Sequence, residues 1–263
     1  MRRDVRDEGR GVRRFSFPCD GETLTCSVTT PADPAASRAT AVLLHGAGTS
    51  EHRRLDALAG DLAARGHTVV TFDFSGHGGS SGSLGELSLG RRLAQARAVI
   101  DAHAPPGDGL VLVGFSMSGQ TVADLAAHYG PRVTTIGLCA PAVYARRAWE
   151  VPFADGFTGV IRTPDSWRDS AALDAFRTFT GRAVLLVPAH DTVIPPAVTR
   201  AVAEALATRA DLTHLVHADA DHKLGLWLRE NAKERGEFAD ALLRPVQPEP
   251  VQPEPLRRKP ASP

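Results

Sequence analysis

Ser116 stands in the run Leu-Val-Leu-Val-Gly-Phe-Ser-Met-Ser-Gly, residues 110–119, where an apolar segment passes into small residues around a hydroxyl. A serine hydroxyl is a weak nucleophile near neutral pH and needs an adjacent base to take its proton. Leu110 to Val113 suit a strand covered on both faces of a parallel sheet. Gly114 and Ser118 are small enough for a sharp turn that leaves the Ser116 hydroxyl exposed above that sheet. The pattern is Gly-x-Ser-x-Gly with serine in the last place, followed at once by Gly119. A helix beginning near Met117 would add N–H groups and a positive dipole end beside the hydroxyl.

A base for this serine must be a histidine placed by the fold and held in one tautomer by a carboxylate. In doubly wound sheets such groups collect beyond the carboxyl ends of strands, here in the order serine, acid, histidine. Asp191 is the acid candidate, lying between the strand Arg182–Val187 and the helix-opening Pro195-Pro196. The plain alternative is a loop or capping aspartate. His222 is the base candidate, in Ala-Asp-Ala-Asp-His-Lys, reached after the strand Leu212–Val216. His214 and His217 fall on or at the end of that strand, and Asp219 and Asp221 suit capping of the next helix. An oxyanion formed by attack needs two preorganised donors. The Met117 amide, directly after the nucleophile, supplies one. Ala47, in His45-Gly46-Ala47-Gly48 after the strand Thr40–Leu44, supplies the other, with His45 orienting the turn.

Alternating strands and helices must position these groups. Arg13–Thr29 reads as an antiparallel hairpin about Asp20-Gly21. Beyond the loop 31–37 come strand 40–44, helix 51–65, strand 68–72, helix 89–103, the elbow strand, helix 117–129 and strand 133–139. Strand 182–187, helix 196–207, strand 212–216 and one final helix from His222 complete the series. This rhythm implies a mostly parallel, doubly wound sheet. Residues 141–181 lack a core-type strand and carry Trp149, Phe153, Phe157 and Trp167, which mark a small cap whose aromatics suit either an apolar or aryl substrate surface or simple packing of the cap on the core. Arg146, Arg147, Arg162 and Arg168 in the same segment suit solvated surface. Residues 1–12 are expected to be a disordered tail. Residues 245–263, with Val-Gln-Pro-Glu-Pro twice, are expected to form a second. The folded domain is then 13–244.

The 263 residues carry 30 basic and 30 acidic side chains, so no global field draws in nucleic acid or a membrane. No apolar run approaches the ~18 residues of a membrane span. A charged N-terminus without an apolar core points to a cytoplasmic protein. Cys19, Cys26 and Cys139 have no metal-ligand spacing and read as free thiols. Oligomeric state leaves no signal.

With these motifs in order, the chain resembles the α/β-hydrolase superfamily over about residues 38–235. The resemblance rests on His45-Gly46-Ala47-Gly48, on Phe72-Asp73-Phe74-Ser75-Gly76-His77-Gly78-Gly79-Ser80, on the elbow at Ser116, and on Asp191 and His222. Within it the chain looks most like bacterial cinnamoyl and feruloyl esterases and their serine-peptidase-like relatives. The resemblance implies a structural role for Asp73 and Gly76. It also implies cleavage of a small-molecule carboxylic ester or thioester through an acyl-enzyme on Ser116, with no metal or organic cofactor. The serine argues against dehalogenases and epoxide hydrolases of this superfamily, which use aspartate there. A biosynthetic thioesterase, cyclase or acyltransferase, and a non-catalytic binding protein of the same fold, stay open.

Overall fold

The computed structural model describes residues 5–7, 11–37 and 39–245. Its strands are β1 (Val5–Asp7), β2 (Val12–Cys19), β3 (Glu22–Thr29), β4 (Ala39–Leu44), β5 (Thr68–Phe72), β6 (Gly109–Phe115), β7 (Val133–Cys139), β8 (Arg182–His190) and β9 (Asp211–Asp221). Its helices are α1 (Asp56–Ala64), α2 (Leu89–His103), α3 (Ser118–Tyr129), α4 (Thr158–Ile161), α5 (Ala171–Thr178), α6 (Pro196–Leu206), α7 (Leu224–Glu230) and α8 (Ala232–Leu243). All strands join one sheet, ordered β1-β2-β3-β5-β4-β6-β7-β8-β9. From β5 to β9 neighbours run parallel; β1, β2 and β3 add an antiparallel flank.

Both faces of the parallel part are covered, so the central strands β4, β5, β6 and β7 are mostly apolar on both faces rather than alternating. Val42 and Leu44 of β4 pack with Val99, Ile100 and Val122 on one side. Ala41 and Leu43, pointing oppositely, pack with Leu58, Leu62 and Phe238 on the other. Helices α2, α3, α5 and α6 cover the first face, and α1, α7 and α8 the second.

Several elements depart from the expectation. Val5–Asp7 is a strand rather than tail: Val5 lies opposite Arg14, so this segment pairs the open edge of β2. The helix expected from Glu51 opens as a 3₁₀ turn, His52–Leu55, before α1. The segment 141–181 divides. Residues 141–170 hold short turns and α4, but α5 is a regular layer helix between α3 and α6, with Phe176 and Phe179 in the main core. The final helix is two, because Asn231 turns out of α7 and its side-chain amide donates to the Trp227 carbonyl at 2.7 Å. The three thiols are free. Among the described residues no helix is long and apolar enough to cross a membrane. The repeat tail, 246–263, lies outside the described residues.

Candidate active site

Ser116 sits between β6 and α3 at φ +50°, a left-handed conformation that costs a non-glycine residue energy. Neighbouring hydrogen bonds hold it there. The Ser116 amide donates to the Cys139 carbonyl at 2.9 Å, and the Ser116 carbonyl accepts from Gly119 and Ala142 at 2.8 and 2.9 Å. The turn is so tight that a Cβ on Gly114 would stand 2.5 Å from the Ser118 carbonyl oxygen. Gly46 passes close on the other side, its notional Cβ 3.3 Å from the Ser116 Cβ.

His222 Nε2 lies 2.9 Å from Ser116 Oγ, and His222 Nδ1 lies 3.0 Å from Asp191 Oδ2. A carboxylate only accepts, so this network assigns the ring proton to Nδ1 and leaves the Nε2 lone pair facing the serine. The other Asp191 oxygen accepts from the amides of Val193 and Ile194 at 2.8 and 2.9 Å, which fixes the carboxylate plane. All three side chains, distant in sequence, meet at the carboxyl end of the sheet. Strands β8 and β9 bring two of them there directly. They run past Val187 and Val216, where the apolar pattern stops, and pair as far as His190 opposite Asp221. Asp191 and His222 are the residues immediately beyond each strand. The Asp221 carboxylate accepts from the Lys223 amide at 2.8 Å and turns the chain toward α7.

On the opposite side of Ser116, His45 is fully used. Its Nδ1 donates to the Gly46 carbonyl at 2.6 Å and its Nε2 accepts from the Phe74 amide at 3.1 Å. Burial first, then the Arg92 charge, holds its pKa well below the ordinary imidazole value, so it is neutral. Among the described residues the amides of Ala47 and Met117 have no hydrogen-bond partner, leaving both able to donate. Ser118 has a use here that a glycine would lack. Its hydroxyl donates to the His45 carbonyl at 2.6 Å and accepts from Arg92 at 2.7 Å, while Arg92 also donates to the His45 carbonyl at 3.0 Å. Elbow and oxyanion-side loop are thereby tied together. Asp73 ties that loop to the turn beyond β5, accepting from the His52 amide at 2.7 Å and the Gly79 amide at 3.0 Å. Gly76, at φ +70°, packs its α-carbon against the Leu84 backbone, where no side chain would fit.

Trp149, Phe153 and Phe157 form one cluster with Met117, Ala47 and Leu89. Trp167 is not with them: it packs on the main core and borders a separate surface cavity with Arg200. A cavity of about 210 Å³ opens beside Ser116 and His222. Its apolar walls are Leu55, Phe115, Leu224 and Leu226, none of which stood out in sequence. The Leu-Gly-Leu directly after His222-Lys223 was the available signal. The largest cavity, about 840 Å³ at Thr29 and Gly60, opens at the amino end of β5, away from Ser116, and one of about 250 Å³ lies at the cap between Leu89, Tyr144 and Trp149. Among the described residues no group of three His, Cys, Asp or Glu side chains is placed to hold a metal ion.

The sheet order, the strained elbow and the acid and histidine at the ends of the last two strands define an α/β-hydrolase fold. A family profile described as serine aminopeptidase, S33, matches residues 35–164. The ferulic acid-bound esterase Est1E from Butyrivibrio proteoclasticus is similar at 18% identity and a TM-score of 0.61, over 84% of this chain and 98% of its own. The thioesterase domain of the curacin biosynthetic pathway is similar at 15% identity and a TM-score of 0.66, over 86% and 98%. The enol-lactonase from Burkholderia xenovorans LB400 is similar at 17% identity and a TM-score of 0.64, over 86% and 99%. No curated protein matches the chain in sequence.

Proposed function

We propose that this protein is a serine hydrolase that cleaves carboxylic esters of small acyl groups through an acyl-enzyme on Ser116. The observation that carries the reading is the unbroken relay from Ser116 Oγ to His222 at 2.9 Å and on to Asp191 at 3.0 Å. His222 takes the serine proton as Oγ attacks the carbonyl carbon, and Asp191 stabilises the imidazolium. The Ala47 and Met117 amides receive the oxyanion. His222 then protonates the leaving alcohol, and water, deprotonated by the same nitrogen, releases the acid. The small cavity beside Ser116 supports a short acyl group, and its leucine and phenylalanine walls support an apolar or aryl one.

A fluorophosphonate should label the wild-type protein on Ser116 and fail on Ser116→Ala, whose turnover of p-nitrophenyl esters should fall by at least ~10⁴-fold. Labelling that survives Ser116→Ala, or no labelling at all, overturns the assignment. A parallel panel of acyl-thioesters separates thioesterase from esterase: the proposal expects the oxygen esters to have the higher kcat/KM.

A further inference from the structure

The cavity beside Ser116 is lined by two cationic side chains, Arg54 and Lys223, and by no carboxylate. Several arginines elsewhere on this evenly charged surface meet acids. In the segment over the sheet, Arg146 pairs with Asp169 at 3.4 Å and with Asp174, Arg168 with Asp165 at 3.1 Å, and Arg177 with Asp174 at 2.6 Å. On the core, Arg65 pairs with Asp240 at 2.7 Å and Arg235 with Asp61 at 2.8 Å.

Arg54 and Lys223 do not. Arg54 is half-buried on the His52–Leu55 turn and commits one nitrogen to the Thr49 carbonyl at 2.7 Å. Among the described residues neither it nor the exposed Lys223 ammonium has an acidic partner. The nearest carboxylates in sequence do not neutralise them: Asp56 pairs with Arg14 at 3.3 Å, Asp221 accepts from the Lys223 backbone rather than its side chain, and among the described residues Glu51 and Asp219 form no ion pair with either cation. Two positive groups left unneutralised on the walls of a small cleft focus its field toward anions. Thr49 and Ser50, on the same wall as Arg54, add hydroxyls suited to a polar end.

Resting on the hydrolase reading above, we infer that the preferred substrate is an ester bearing a second, ionised carboxylate, received by Arg54 and Lys223 while its ester carbonyl lies at Ser116. The apolar walls then take the methylenes between the two groups. Arg146 and Arg168 of the cap, already matched with aspartates, have no part in this selection.

The experiment compares p-nitrophenyl valerate with mono-p-nitrophenyl glutarate, which match in chain length and differ in a terminal methyl or carboxylate. Wild type should show about 10-fold higher kcat/KM for the glutarate at low salt, and the preference should shrink at about 0.5 M salt as screening shortens. Arg54→Met/Lys223→Met should bring the ratio to one or below, Lys223→Met alone should reduce it about 3-fold, and Arg146→Met should leave it as in wild type. If the double variant does not fold, Lys223→Met and competitive inhibition of valerate cleavage by free glutarate decide the matter. A wild-type ratio of one or less, or a preference that persists without both cations, overturns the inference while leaving the hydrolase intact. If neither ester is cleaved and Ser116 is not labelled, the hydrolase reading itself fails.

Discussion

Arg92 and Arg182 are both wholly buried, at opposite ends of the sheet, and their surroundings differ in one respect. Arg182 opens β8 at the amino ends of the parallel strands. It meets the Asp211 carboxylate at 2.6 Å, the Thr213 hydroxyl at 2.9 Å and the Ala241 carbonyl, joining β8, β9 and α8. Arg92, on α2 behind the site, meets only the Ser118 hydroxyl, the His45 carbonyl and the face of Phe74, 3.7 Å from the ring centre. Its Nε and second terminal nitrogen have no hydrogen-bond partner, and no carboxylate neutralises it among the described residues. Burial pushes its pKa down to about 9, so it stays charged at neutral pH. An unpaired buried charge costs several kcal/mol. The scaffold neutralises a buried arginine where only stability is at stake, and leaves one bare beside the carbonyl that opens the oxyanion-side loop. A carboxylate placed there would set a fixed negative charge against the one the proposed reaction develops.

The strongest way to break this contrast is Arg92→Met. It should lower kcat on a neutral ester by about 10²-fold, the scale of losing an oxyanion donor, with little change in KM. Arg92→Lys should restore part of the loss, and circular dichroism should confirm that the fold is kept. Full activity in Arg92→Met would show that the bare charge serves the fold alone. Arg182→Met should do the reverse. Loss of the Asp211 pair and of two further hydrogen bonds costs roughly 3 kcal/mol, or about 6–12 °C in melting temperature, with kcat unchanged. A kcat defect there would erase the distinction between the two ends.

Ser118→Ala sharpens the picture on a smaller scale. Removing the hydroxyl that links Arg92 to the His45 carbonyl should cost about 10-fold in kcat. Asp124 supplies the mirror image, a largely buried carboxylate with no cation. It accepts from Gln120 at 3.0 Å, while its second oxygen has no partner. Burial raises its pKa from 3.8 to about 7, against the smaller lowering effect of Gln120. The folded state therefore holds a proton that the unfolded chain has released between about pH 4 and 7, and stability falls as pH rises through that window. Above it the penalty is constant. Asp124→Asn should flatten this slope and melt higher than wild type at pH 8, with kcat unchanged.

Much of this was legible in sequence where burial on both faces favours β-branched and apolar residues: β5 and β7 have the bounds their runs suggest, and α2 ends where Pro105-Pro106 must end it. The serine, acid and histidine were legible because chemistry constrains their types and this fold their order along the chain. The outer reaches of β8 and β9 were not, because they rise beyond the helical layers, where residues such as His190, Ala218 and Asp219 are exposed and no apolar pattern persists. Arg92 was hidden by its neighbour. Arg91 faces outward and pairs with Asp20 at 2.7 Å, whereas Arg92 falls in register with Leu89, Ala96 and Val99 on the buried stripe. A charged residue on an apolar stripe was the signal. Trp167 misled because an aromatic residue in a cap segment carries no indication of which way it faces.

The outward reach of β8 and β9 sets the acid and the base each one residue beyond the last rung of one ladder, His190 opposite Asp221. Their spacing is a property of hydrogen-bonded backbone, fixed near the ~4.8 Å that separates neighbouring strands, and owes nothing to the connection through α6. That connection is free to vary in evolution or by design: lengthening the turn at 207–210, or even opening new chain ends there, should leave Asp191 and His222 in partnership.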